Sequence, residues 1–290
     1  MKKSEKKRIL VAIPNKGALS EGTVSLFSAA GYRCVRSGRE LMVSDTANDV
    51  DFVFLRPRDI ALYVGKGVVD IGVTGRDLAA DSGVEVVELM PLETGKSRFC
   101  FAAPKGLYSS PKQLDKLRIA CSYPNLLQSK LDELGLKCEI VHLEGAVEVS
   151  VQLGIADAIA DVVESGSTLR EAGLEIVGEP LMYSEALLLT GKRGNMKKNP
   201  LVAKLMGRIK GILLAKNYMM IEYNIPKKDL DAGMRITPGL EAPTVSPLAN
   251  SGWVAVKSMV LRKDCNHIMD ELYAAGARGI FTTDISSCRL

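Results

Sequence analysis

The apolar run from Arg8 through Ile13 stops at Pro14 and is followed by Asn15-Lys16-Gly17. It predicts a buried strand, a turn, and a helix that Ser20 would cap and Ala30-Gly31 would end. Leu41-Met42-Val43-Ser44 and Asp51-Phe52-Val53-Phe54-Leu55 read as two further strands. Arg56-Pro57-Arg58-Asp59 then opens a helix with proline in its first turn. Val68 to Asp77 repeats the scheme of strand, glycine-containing loop and helix, Val86 to Leu89 adds a strand, and Ser97 to Pro104 is a long extended run. A new series begins at Arg118. Arg118 to Ser122 and Cys138 to Leu143 are strand-like, a helix runs from the Tyr123-Pro124 turn through Leu134, and Glu148 to Leu153 is a short helix. The apolar stretch Val151 to Ile159 leads as a strand into a loop, Asp161 to Thr168, that opens another helix. Glu185 to Thr190 is a second extended run, Gly191 to Pro200 a polar surface loop, and Leu201 to Leu214 a helix.

Strands alternating with helices imply mostly parallel, doubly wound α/β sheets. The two extended runs would cross between two such lobes and leave a cleft between them. Ligands of open α/β sheets bind beyond the carboxyl ends of the strands, where Lys16, Thr74-Gly75 and Ser165 to Thr168 all fall. From about Tyr218 the period becomes two, with Met219, Ile221, Tyr223 and Ile225 alternating. The order there is β-α-β-β-α-β, a ferredoxin-like module. The expected division is lobe I at 1–97 plus 190–217, lobe II at 98–189, and the module at 218–290.

Composition removes several classes. The net charge of +4 owes much to the tail Lys2-Lys3-Ser4-Glu5-Lys6-Lys7-Arg8, and aromatics make up only 5%, so no nucleic-acid surface is expected. The tail lacks a signal-like apolar run and no segment is apolar for long enough to span a bilayer. No membrane association and a cytoplasmic location are the expectations. Cys34, Cys100, Cys121, Cys138, Cys265 and Cys288 show no metal-ligand spacing and read as reduced thiols. Gly95-Lys96-Ser97 lacks the first glycine of a P-loop, no dinucleotide fingerprint is present, and His142 and His267 pair with no nucleophile.

Chemistry concentrates at Asp161-Val162-Val163-Glu164-Ser165-Gly166-Ser167-Thr168. Its last four residues set backbone N–H groups and hydroxyls at a helix start, where an anion is favoured. Asp161 and Glu164 beside them suit sugar hydroxyls or a divalent cation. Together they describe a ribose 5-phosphate site; an ordinary helix cap is the alternative.

That segment resembles the phosphoribosyl diphosphate loop of the ATP phosphoribosyltransferases, which open histidine biosynthesis. Pro14 to Ser20, Leu55 to Ile60, Asp70 to Asp77 and Tyr123 to Leu126 resemble segments of their catalytic lobes, and Ile236 to Thr244 their regulatory domain. The resemblance implies a long-form enzyme: a two-lobed, periplasmic-binding-protein-like catalytic core with a C-terminal ferredoxin-like regulatory domain and no separate regulatory subunit. It implies transfer of phosphoribosyl from 5-phosphoribosyl 1-diphosphate to N1 of ATP with Mg2+, releasing diphosphate. Asp161, Glu164 and Lys16 are then the catalytic candidates, and Asp161, Ser165, Gly166, Ser167 and Thr168 hold phosphoribosyl diphosphate. Arg56, Asp70, Thr74, Gly75, Arg76 and Tyr123 face the nucleotide. Asn224, Thr244 and Gly279 are candidates for L-histidine as feedback inhibitor, and a homo-oligomer, dimer or hexamer, is implied. Ala18 and Asn224 depart from the Arg and Asp of some relatives. Competing readings are a phosphoribosyltransferase for another base and a two-lobed solute-binding or sensor protein.

Overall fold

The computed structural model describes residues 8–38, 40–192 and 196–289. The lysine tail at 2–7 and part of the polar loop at 193–195 lie outside these residues. In chain order the first elements are β1 (Ile9–Pro14), α1 (Ala18–Ala29), β2 (Met42–Asp45), β3 (Val50–Leu55), α2 (Pro57–Gly65), β4 (Ile71–Gly75), α3 (Arg76–Asp81) and β5 (Val86–Pro91). There follow β6 (Ser97–Pro104), β7 (Arg118–Cys121), α4 (Pro124–Leu134), β8 (Glu139–His142), α5 (Val149–Gln152), β9 (Ala158–Val163), α6 (Ser167–Glu171), β10 (Leu174–Ile176) and β11 (Met182–Ser184). The chain continues through β12 (Ala186–Gly191) and α7 (Pro200–Asn217). It ends with β13 (Tyr218–Pro226), α8 (Leu230–Ile236), β14 (Thr244–Pro247), β15 (Trp253–Leu261), α9 (Cys265–Ala274) and β16 (Arg278–Asp284).

The first lobe is one sheet in the order β2-β3-β1-β4-β12-β5 and the second is β10-β6-β9-β7-β8, with β11 beside β6. Parallel pairing is confined to the centre of the first, β3-β1-β4, and to one side of the second, β9-β7-β8. The expectation of mostly parallel sheets is therefore corrected. β6 and β12 arrive from the opposite lobe rather than through a local helical crossover, so they join antiparallel. The two crossings lie side by side, with Leu92 N–H donating to Ala186 C=O at 2.9 Å and Ala186 N–H to Thr94 C=O at 2.9 Å.

Each sheet is coated by apolar side chains on both faces, as strands buried between helices require. Along β6, Phe99 and Phe101 join the cluster of Leu114, Leu127 and Leu131, while Cys100 and Ala102 face that of Ile159, Leu169 and Leu174. Two local predictions change. The first helix begins at Ala18, and Ser20, inside it and buried, donates its hydroxyl to Pro14 C=O at 2.7 Å instead of capping. The stretch 151–159 is no strand: α5 ends at Gln152, Gly154 turns at φ +70°, and the strand starts at Ala158, so Asp161 stands within β9.

The C-terminal four-stranded sheet, β14-β15-β13-β16, is antiparallel throughout. Ile221, Tyr223, Ile225, Val254, Val256 and Leu272 form its core, the alternation on β13 placing every second residue inward. This is the ferredoxin-like order. Among the described residues no helix is long and apolar enough to cross a membrane.

Candidate active site

The carboxyl ends of the parallel strands come together across the two lobes. Arg58, one turn past β3, lies with its guanidinium carbon 4.6 Å from the centroid of the Tyr123 ring, just past β7. Tyr123 in turn packs edge-on against Phe99 with centroids 5.8 Å apart. Burial raises the Tyr123 hydroxyl well above its ordinary range, with Asp77 adding to the rise and Arg58 opposing it. Tyr123 is thus a neutral aromatic wall carrying a cation on its face.

Asp161 sits beside this wall. It follows Ala160, which pairs with Cys121 at the end of β7. Its carboxylate accepts the Val162 N–H at 2.8 Å. Burial pushes the carboxyl up to about 6; that hydrogen bond opposes the rise, Glu148 adds to it, and the Arg58 charge pulls it down. A half-buried acid that gains so little from the protein gains most from a partner that enters the cleft. The neighbouring Cys121 thiol is pushed up to about 12, chiefly by burial, and is unsuited to nucleophilic work.

Past β9 the turn is held open. Gly166 adopts φ +73°, the left-handed region that favours glycine. Ser165 and Ser167 hydroxyls lie 3.0 Å apart, Ser167 N–H donates to Ser165 Oγ at 3.4 Å, and the Arg170 guanidinium donates to Ser165 C=O at 3.2 Å. Ser165, Ser167 and Thr168 are exposed, as is Glu164. The N–H groups of Thr168 and Leu169 precede the first intrahelical bond, from Arg170 N–H to Gly166 C=O at 3.2 Å. α6 has only 5 residues, so the anion-binding capacity lies in these donors more than in a long dipole.

Cations gather past β1 and β3 in the first lobe. Pro14 pairs with Leu55, and Asn15 N–H donates to Leu55 C=O at 2.8 Å, so Lys16 and Arg56 follow adjacent strand ends. Both are exposed. Sequence reasoning missed Arg36, whose guanidinium donates to Asn15 C=O at 2.8 Å and covers the Phe54 ring at 4.3 Å. The Asn15 side-chain oxygen there is buried with no hydrogen-bond partner. Arg58 was also missed, although its place two residues after Arg56 and beside a helix-starting proline was a readable signal.

Other predicted residues serve the scaffold. Asp70 is at the amino end of β4, the opposite edge of the sheet, where its carboxylate accepts Leu10 N–H at 2.8 Å and its C=O accepts the Thr190 hydroxyl at 2.9 Å. Asp70, expected to face the nucleotide, thus lies apart from the strand ends that carry Arg58, Tyr123 and Asp161. Thr74 is buried and donates to Pro57 C=O at 2.8 Å. Gly75 is needed because the Asp77 carboxylate folds back over it, held by the Ser184 hydroxyl at 2.9 Å. Arg76 pairs with Glu88 at 3.2 Å and Glu185 at 3.5 Å beside the inter-lobe crossing. In the C-terminal sheet Asn224 lies next to Gly279 across β13 and β16, whereas Thr244 is on β14, beyond the intervening β15. Thr244 pairs with Lys257, Lys257 with Glu222, and Ala255 with Asn224, so Thr244 and Asn224 share the face opposite the helices. Two strand spacings, roughly 10 Å, separate them.

Residues 56–211 match the family HisG, ATP phosphoribosyltransferase, and residues 215–287 match HisG, C-terminal domain. The curated ATP phosphoribosyltransferase of Pseudarthrobacter chlorophenolicus is 50% identical over 281 residues, 97% of this chain and 99% of that protein. The chain belongs to the ATP phosphoribosyltransferase family. The Nocardia farcinica ATP phosphoribosyltransferase is 52% identical over 282 residues, covering 96% of this chain and 98% of its own. Among solved structures, the ATP phosphoribosyl transferase (HisG:HisZ) complex from Thermotoga maritima aligns with a TM-score of 0.60 at 28% identity, covering 70% of this chain and 98% of that one. As an ATP phosphoribosyltransferase of long form the chain is a transferase of the first step of histidine biosynthesis.

Proposed function

We propose that the transfer takes place in the cleft bounded by Asp161, the Ser165–Thr168 turn, Tyr123 and the cations past β1 and β3. The observation that carries this reading is Asp161 itself: a half-buried carboxyl pushed up to about 6 beside an open donor turn. In this reading Ser165, Gly166, Ser167 and Thr168 hold the 5-phosphate and Asp161 accepts from the ribose hydroxyls. Lys16, Arg36 and Arg56 take the phosphate charges of the leaving diphosphate or of ATP. Adenine N1 donates its lone pair to the anomeric carbon as the bond to diphosphate oxygen breaks, and the electron pair leaves with diphosphate. No protein nucleophile is required. The residues hold two substrates in line and stabilise charge on the sugar and leaving group.

Among the described residues no cluster of three or more His, Cys, Asp or Glu side chains could hold a metal. That fits Mg2+ arriving on substrate phosphates, which needs one or two carboxylates rather than a protein cage. Asp161 and Glu164 would face it, and the ion would neutralise phosphate charge.

Residues 218–290 are proposed to bind L-histidine as a feedback inhibitor on the open sheet face, Asn224 and Gly279 on one side and Thr244 two strands away. This reading needs no separate regulatory subunit and places the module in contacts of a homodimer or hexamer. The catalytic lobes would be 1–97 with 190–217, and 98–189. Diphosphate release from 5-phosphoribosyl 1-diphosphate, ATP and Mg2+, with and without L-histidine, tests both halves. ATP-dependent release suppressed by histidine is expected. Release with any purine equally would overturn the acceptor, and indifference to histidine would overturn the regulatory role.

A further inference from the structure

Asp81 is the last residue of α3, buried in the first lobe's helix layer, yet its partners lie in the second lobe. One carboxylate oxygen accepts the backbone N–H groups of Asn125 at 3.0 Å and Leu126 at 3.1 Å. The Asp81 C=O accepts the Asn125 side-chain amide at 2.8 Å. These N–H groups are in the first turn of α4, whose own cap position is Tyr123 and supplies no side-chain acceptor. A helix start normally takes such an acceptor from the residue just before it. Here it comes from the other lobe, 44 positions upstream of Asn125.

The second carboxylate oxygen of Asp81 pairs with Arg58 Nη1 at 3.3 Å. The same guanidinium lies on the Tyr123 ring at 4.6 Å. One buried carboxylate therefore fixes the first turn of α4, which places Tyr123, and the cation stacked on it.

We propose that Asp81 is a positioning residue for the transfer, holding Arg58 and Tyr123 in register at the cleft by capping α4 across the lobes. The proposal rests on the function assigned to that cleft. Without the carboxylate, Arg58 loses the ion pair that anchors it over the Tyr123 ring. The start of α4 also loses the carboxylate oxygen that accepts its Asn125 and Leu126 N–H groups.

The test is a double-mutant cycle in the full-length enzyme, comparing wild type, Asp81→Asn, Arg58→Gln and the double variant by diphosphate release. Amide hydrogen exchange at Asn125 and Leu126 is measured alongside. Asp81→Asn is expected to lower kcat on the order of 10-fold to 100-fold, as a displaced catalytic group does, with KM changing less. In the Arg58→Gln background the same change should cost several-fold less than in the wild type, because much of the effect passes through Arg58. Both amides should exchange faster in Asp81→Asn. If this variant does not fold, Asp81→Glu, which keeps the charge but shifts it, takes its place in the cycle. Losses that multiply in the double variant, or an unchanged kcat with faster exchange, would reduce Asp81 to a structural cap and overturn the proposal. Absence of turnover in the wild type would instead remove the assigned function, and the role of Asp81 with it.

Discussion

Two strand-to-helix junctions in the catalytic region look alike in sequence and differ in what their polar groups do. Where β4 meets α3, the side chains of Thr74, Arg76 and Asp77 are all engaged by the protein: hydroxyl to Pro57, guanidinium to Glu88 and Glu185, carboxylate to Ser184. Past β9, Ser165, Ser167 and Thr168 are exposed, and the hydroxyls of Ser165 and Ser167 bond within the turn itself. Both junctions carry an acid, a glycine and a threonine. Binding capacity follows from what is left unengaged, so the second junction is the one proposed as the site, while the polar groups of the first are spent on the crossing strands.

The sharpest way to break this contrast is at Asp161. Asp161→Asn keeps the shape and one acceptor, and is expected to reduce kcat/KM by about 100-fold to 1000-fold, the scale seen when one preorganised polar group is lost. The ligand-free variant should also be more stable at pH 7. A carboxyl at 3.8 in the unfolded chain and about 6 in the fold favours the neutral form, so its contribution is intact below 3.8 and lost as pH rises through 6. The shift corresponds to at most about 3 kcal/mol. Thermal melts from pH 4 to 8 should show the gap between variant and wild type opening across that window. Wild-type kcat/KM, which reports the free enzyme, should fall as pH drops below about 6. A variant that is less stable at pH 7 and still active would make Asp161 part of the frame.

Arg56 and Arg76 make the same comparison between cations. Arg56 is exposed and precedes α2, whereas Arg76 bridges two carboxylates at the crossing. Arg56→Ala should lower kcat/KM about tenfold or more with an unchanged melting temperature, as expected for a lost charge-assisted contact. Arg76→Ala should cost about 1 kcal/mol, the upper range for partly exposed pairs, read as a melting shift of a few degrees with kcat/KM nearly intact. Exchanged outcomes would place the nucleotide at β4 after all.

This division explains how far the chain could be read in advance. The apolar runs gave the lobes, and the alternation Ile221, Tyr223, Ile225 gave the C-terminal sheet, because burial on one or two faces leaves a period in the sequence. The antiparallel entry of β6 and β12 left no local trace, since strand direction is set by where the chain comes from. Asp70 and Asp161 are both acids near apolar strands, and only register shows that one stands at the amino edge and the other near the carboxyl edge. Arg58 and Asp81 escaped because their partners are distant in sequence: the link from Asp81 to α4 appears only once the lobes are folded together.

The smallest effect separates the two threonines. Thr74→Val is close in shape but removes the donor to Pro57 C=O inside a buried site, and should cost about 1 kcal/mol with little change in KM for ATP. Thr168→Val alters an exposed hydroxyl on the donor turn and should leave the melting temperature unchanged. If that hydroxyl holds the 5-phosphate, KM for 5-phosphoribosyl 1-diphosphate should rise roughly threefold to tenfold, matching the net worth of one hydrogen bond. Melting curves and KM for each substrate, measured on both variants, give six numbers. A stable Thr74→Val with a raised KM for ATP would mean that its hydroxyl turns from Pro57 to the nucleotide, and the two junctions would then both be sites.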